Sequence, residues 1–173
     1  MFHLKSLSFS LFLTILCSSQ VLAAQGKAVV RGTQEGSGIS GKVFFKDTDA
    51  GLEVKAEFAG LAPGIHAFHI HEFGDCSDGG NAAGSHYNPQ GAPHGLLSKD
   101  GAAHAHAGDM GNVEARDDGN AVAELILPGV TLNVGTVSVA GRGVIIHESE
   151  DDFGQPTGNA GGRIGCGEIV ITS

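Results

Sequence analysis

Hydrophobic positions in this chain recur at every second residue. Leu52, Val54, Ala56 and Phe58 alternate with Glu53, Lys55 and Glu57, the period of a strand with one dry and one wet face. Val43 and Phe45 alternate less cleanly with Lys42, Phe44 and Lys46, and Ala121, Ala123, Leu125 and Leu127 form a third run. Gly143 to His147 is short and rich in β-formers. Pro63-Gly64, Asp118-Gly119 and Pro128-Gly129 punctuate these segments as turns. No stretch sustains a 3.6-residue apolar period. The pattern predicts an all-β domain, an antiparallel sandwich or barrel. Phe73 to about His106 and Glu148 to Gly162 break it, and loops of that length in a compact domain are usually functional or disordered. The first carries half of the histidines outside the N-terminal segment, which marks it as functional.

Composition narrows the picture. A chain of 173 residues suits one domain. Its 28 glycines are more than twice the usual share of about 7%, without the triplet period of collagen. Ten Lys and Arg against 19 Asp and Glu give a formal charge of −9. That balance, with no run of basic residues, argues against nucleic-acid and polybasic membrane binding.

The N-terminus reads as an export leader. Lys5 precedes an apolar stretch from Leu7 to Leu16, too short to span a bilayer, and Val21-Leu-Ala23 offers small residues before a cleavage point. Residues 1–23 are expected to be removed, leaving 24–173 as the domain. Export implies a periplasmic or extracellular destination. Cys17 leaves with the leader, and Cys76 and Cys166 remain either as one disulfide of an oxidising compartment or as two separate buried thiols.

Eight histidines remain beyond the leader: His66, His69, His71, His86, His94, His104, His106 and His147. His69 and His71 stand two apart on a predicted strand, so both rings share one face. Imidazole suits zinc, copper, iron and nickel rather than calcium or magnesium. His106-Ala-Gly-Asp109 separately offers a nitrogen and an oxygen ligand suited to zinc. Spacing alone supports one or two metal sites and names neither metal.

Five ordered motifs carry a resemblance: Gly64-Ile-His-Ala-Phe-His-Ile-His-Glu-Phe-Gly-Asp75, Gly84-Ser-His-Tyr-Asn-Pro89, His106-Ala-Gly-Asp-Met-Gly-Asn112, Gly141-Arg-Gly-Val-Ile-Ile-His-Glu148 and Gly158-Asn-Ala-Gly-Gly-Arg-Ile-Gly-Cys-Gly167. The chain resembles the copper/zinc superoxide dismutases over essentially all of residues 24–173. The resemblance implies eight antiparallel strands with Greek-key connections, a sandwich architecture for which this family is itself a stock example. It implies copper on His69, His71, His86 and His147, and zinc on His86, His94, His106 and Asp109, with His86 shared. Asp151 is then the carboxylate joining His69 to His94, His66 supports the strand from its other face, and Cys76 pairs with Cys166. His104 has no counterpart and is either a bystander or a rival ligand. The stretch from His94 to His106 is about three residues longer than usual in such chains, and the loop Asp151 to Gly162 is shorter than in eukaryotic cytosolic members.

The activity implied is disproportionation of superoxide to dioxygen and hydrogen peroxide, with copper cycling between two oxidation states. Arg163 would orient the anion, and His86 would carry a proton to the product. A copper-binding or copper-delivery module on the same fold, without turnover, is the alternative. The resemblance leaves a homodimer open, because the dimer surfaces of such chains vary.

Overall fold

The computed structural model describes residues 23–173, so the expected leader lies outside the described residues apart from Ala23. Eight strands form in chain order: β1 (Gln25–Gly32), β2 (Ser40–Thr48), β3 (Gly51–Ala59), β4 (Gly64–His71), β5 (Asp109–Ala115), β6 (Ala121–Leu127), β7 (Gly143–His147) and β8 (Arg163–Ile171). All pairs are antiparallel. They close into a barrel in the order β1-β2-β3-β6-β5-β4-β7-β8. Closure leaves no edge strand to recruit a neighbouring chain. Because β3 pairs with β6 rather than β4, the β3–β4 and β6–β7 connections cross the barrel, giving a Greek-key path.

Alternation sets the faces. In β3, Leu52, Val54, Ala56 and Phe58 are buried while Lys55 and Glu57 are exposed, and in β2 Val43 and Phe45 point in while Lys42, Phe44 and Lys46 point out. Inward residues from all sides fill one core, with Phe45, Leu52, Phe68, Ile70, Leu127, Leu132, Ile146 and Ile169 fully buried. Phe58 meets Phe68 edge-to-face with centroids 6.0 Å apart.

Strand β7 is buried on both faces, and β4 is buried from His66 onward. Phe68 and Ile70 of β4, with Val144 and Ile146 of β7, belong to the core. The alternate positions, His69, His71 and His147, therefore face outward. The two long segments, 72–108 and 148–162, cover that outer face and bury it. The first holds only a 3-10 turn at Asp78–Ala83 and a four-residue helix α1 at Leu97–Asp100. Its path leans on β4: Ile70 N donates to Gly108 O at 2.9 Å, and Tyr87 N donates to Ile70 O at 2.8 Å. A Cβ at position 108 would lie 2.1 Å from Ile70 O, so only glycine fits there. Among the described residues no helix is long and apolar enough to cross a membrane.

Candidate metal centre

Three outward imidazoles from β4 and β7 meet a fourth from the covering loop. His69, His71, His86 and His147 bring one ring nitrogen each to within 4.8 Å of one another, and all four are buried. The loop is held there by a bridge between His71 and His86. Three of the rings are already fixed through their other nitrogen. His69 Nε2 donates to Asp151 Oδ2 at 2.8 Å, His71 Nδ1 donates to Gly84 O at 3.0 Å, and His147 Nδ1 lies 3.5 Å from Gly161 O. The remaining atoms, His69 Nδ1, His71 Nε2 and His147 Nε2, are buried without any hydrogen-bond partner. A buried polar atom without a partner costs about 1–3 kcal/mol. Three such atoms aimed at one point fit a bound transition metal, whose ligating histidines are held through their second nitrogen.

His86 faces two ways. Its Nδ1 lies 2.9 Å from Asp109 Oδ1, so its Nε2 is the atom left for the first group. His106 Nδ1 lies 3.1 Å from the same oxygen, and His94 Nδ1 lies 2.9 Å from Asp109 Oδ2. His86, His94, His106 and Asp109 thus form a second buried group of four ligands, three nitrogens and one oxygen. Ligands at about 2.0–2.1 Å in a tetrahedron stand about 3.3 Å apart, close to these separations, so the set suits zinc. Asp109 is aimed by two main-chain donors, His106 N at 2.8 Å and Gly95 N at 3.0 Å.

Asp151 lies between the two groups. It takes His69 Nε2 on one oxygen, and His94 Nε2 lies 2.9 and 3.1 Å from its two oxygens. Gly158 passes so close that a Cβ there would lie 1.9 Å from Asp151 Oδ1 and 2.8 Å from His94 Nε2, and its φ of +78° is itself one that glycine tolerates. His66 sits on the inward face, its ring nitrogens 2.8 Å from His147 O and 2.9 Å from Ala62 O, tying β4 to the end of β7.

Burial also sets protonation. Desolvation lowers His69 to about 4, His71 to about 2 and His147 to about 3, and pulls His86 down as well. These imidazoles are neutral near pH 7, the form that binds metal. Burial opposes charge on His94 too, but Asp109 and Asp151 outweigh it and push that ring up to about 9. Burial would raise Asp109 and Asp151; their histidine partners and main-chain donors instead hold both well below the usual carboxylate range.

A cleft of about 390 Å³ opens onto the first group, lined by His71, His86, His147, Thr157, Asn159 and Arg163. Arg163 begins β8 and donates to Gly80 O at 2.7 Å and Gly84 O at 2.6 Å. It therefore anchors the loop and presents a cation to the cleft at once. The Cys76–Cys166 disulfide is formed, with Cα atoms 5.6 Å apart, and ties the same loop to the same strand. His104 is exposed and belongs to neither ligand group.

The sequence pattern leaves several supporting residues unassigned. Asn112 grips the main chain of Asp151, donating to its O at 2.9 Å and accepting from its N at 2.8 Å. Phe153 stacks on His94 with centroids 6.4 Å apart and an interplanar angle of 20°. Gln155 grips the main chain of His94. Asn112 lies inside a quoted motif and could have been flagged there; nothing in the sequence marks Gln155.

Comparison with known proteins adds two findings. The family model described as copper/zinc superoxide dismutase matches residues 39–169. A crystal structure of the clock protein EA4 superposes with a TM-score of 0.77 at 33% identity, covering 91% of this chain and 100% of that one.

Proposed function

The chain belongs to the copper/zinc superoxide dismutase family, and we propose that it is an exported superoxide dismutase converting superoxide to dioxygen and hydrogen peroxide. The observation that carries this reading is the set of buried, unpartnered ring nitrogens of His69, His71 and His147, of which His71 and His147 line a cleft together with Arg163. In this reading His69, His71, His86 and His147 hold copper, and His86, His94, His106 and Asp109 hold zinc. Bound copper supplies a one-electron couple that oxidises one superoxide and reduces the next, while redox-inert zinc is structural.

The protein's own residues then bind, orient and deliver protons. Arg163 attracts the anion: at ~5 Å and an effective dielectric of ~20 the attraction is roughly 3 kcal/mol, weakened by salt and water. Its two loop carbonyls fix the direction of the guanidinium. His86 lines the cleft, its Nδ1 engaged beside Asp109, so its Nε2 is the atom that would carry a proton to the reduced anion. Asp151 fixes the orientation of His69 and His94 together, coupling the two ligand sets. The disulfide supports export, and residues 1–23 are the leader in this reading.

The solved relative carries the name of a clock protein, so metal retention without turnover is the second reading. Metal analysis of the purified exported protein, paired with a superoxide-consumption assay, separates the two. About one copper and one zinc per chain with rapid turnover is expected. A copper-loaded but inactive protein would favour the second reading, and a zinc-only, inactive protein after copper loading would defeat the first.

A further inference from the structure

The barrel gathers basic residues that the sequence keeps apart. Lys27, Arg31, Lys42, Lys46 and Lys55 are five of the ten Lys and Arg residues in the chain, and all five are exposed on the adjacent strands β1, β2 and β3. In the sheet register Phe44 lies directly between Lys27 and Lys55. Lys42 and Lys46 flank it along its own strand. Strands stand about 4.8 Å apart and alternate residues about 6.7 Å apart, so four lysine stems surround one phenyl ring. That ring is 45% exposed.

The carboxylates on this outer face are Glu53 and Glu57 of β3, opposite Lys46 and Lys42, Glu124 of β6 opposite Lys55, and Glu168 of β8 beside Val29 and Arg31. Lys55 pairs with Glu53 at 3.1 Å and Glu124 at 3.7 Å. Lys27, Lys42 and Lys46 make no ion pair among the described residues. Val29, opposite Lys42 across β1, and Val170, opposite Lys27 across β8, extend the apolar part of the patch.

We propose that this face docks on an anionic lipid bilayer, with Phe44 among the headgroups and the lysines on the surrounding phosphates. Two features select a lipid plane over a linear polyanion. The lysines lie both across and along the strands, so a plane of charges meets all four while a single extended chain follows one row. The central ring also has no partner in a sulfated or phosphorylated chain, whereas it fits the apolar boundary below headgroups. The rest of this protein is acidic, so an anionic surface repels its other faces and selects this one. In the closed barrel β2 lies four strands from β4. Docking through Phe44 therefore leaves the cleft over the histidine cluster on the far side, facing solvent.

Vesicle co-sedimentation of the purified folded protein tests this. Phosphatidylcholine vesicles containing phosphatidylglycerol should bind it at low salt, and phosphatidylcholine alone should not. Reversing the charges with K27E/K42E/K46E should weaken binding at least about tenfold. F44S should weaken it several-fold at unchanged charge, while K99E, on α1, should leave it unchanged. No binding to the anionic vesicles, equal binding to neutral ones, or wild-type binding by the triple variant would overturn the proposal. Retention on dextran sulfate without vesicle binding would overturn it too, in favour of a linear polyanion.

Discussion

The side-chain amide of Gln155 closes a ring with the main chain of His94, accepting from His94 N at 3.0 Å and donating to His94 O at 2.8 Å. Asp151 engages the imidazole of the same residue and Phe153 covers its face, so a single stretch of the second loop holds His94 on three sides. Gln155→Ala should leave an N–H and a carbonyl without protein partners, a loss of about 1–3 kcal/mol. Zinc should leave several-fold faster in a chelator competition. Gln155→Glu keeps an acceptor for His94 N and should fall between the two. Unchanged zinc release in the Ala variant would mean that Asp151 and Phe153 hold His94 by themselves.

His86 and His106 separate the two ligand sets. His86→Ala removes a nitrogen from both and should abolish most activity and alter the copper spectrum. His106→Ala removes one only from the Asp109 group and should lower zinc content and thermal stability while keeping appreciable activity near neutral pH. Metal analysis and thermal unfolding of both variants check this. Full zinc affinity in His106→Ala, with loss in His104→Ala, would reassign the ligand to the exposed histidine.

Arg163 combines two jobs that its variants can separate. Arg163→Ile should cut kcat/KM at least several-fold with metal content intact, and the rate should respond less to ionic strength than that of the wild type. Arg163→Lys keeps the charge but loses the planar fork that reaches Gly80 O and Gly84 O together, so it should retain intermediate activity. Stopped-flow rates at low and high salt give the comparison. A wild-type rate and salt slope in the Ile variant would leave Arg163 as a loop anchor alone.

The metal-stripped protein should be acid-sensitive well above the carboxylate range. His69, His71 and His147 have folded pKa values below the unfolded value near 6.5, so the unfolded chain binds more protons as pH falls. Their stabilising contribution is complete above about pH 6.5 and declines towards about pH 4 and below. Each group adds a slope of up to about 1.4 kcal/mol per pH unit. His94 acts in the other direction: raised to about 9, it stabilises below pH 6.5 and loses that contribution as pH rises through 9. Stability should therefore peak near pH 6.5–7. Urea midpoints measured from pH 4 to 9 test it, and a flat profile between pH 7 and 5 would contradict the buried, neutral state of the three rings.

How much of this was legible depends on which faces are wet. Strands β2, β3 and β6 announce themselves because lysine, glutamate or exposed valine alternates with core residues. Strand β7 shows no alternation, since loops cover its outer face, and β4 is recognisable more by its paired histidines than by its pattern. In β1, Ala28 and Val30 alternate inward against Lys27 and Arg31, a signal weakened by the equally apolar Val29 between them. The members of the two buried histidine groups were readable because motif spacing survives in one dimension. The grip of Gln155 on His94 spans 61 positions and depends on how two irregular loops meet, which no local pattern encodes. The lysine ring around Phe44 escaped for a related reason: four residues scattered from 27 to 55 become neighbours only through strand register.

The disulfide has a consequence for where the protein can work. Cys166 follows Arg163 by three residues on β8, and Cys76 precedes Gly80 and Gly84, whose carbonyls receive the guanidinium. Gly84 O also accepts from His71. Oxidation of one thiol pair thus staples together the strand that bears the cation, the acceptors that aim it and a ring of the histidine cluster. A chain retained in a reducing compartment keeps its sequence and its histidines but lacks the covalent guide for that aim. The bond works as a passport stamp that an oxidising compartment issues, and it sits where an unstamped molecule would be least able to hold its charge in place.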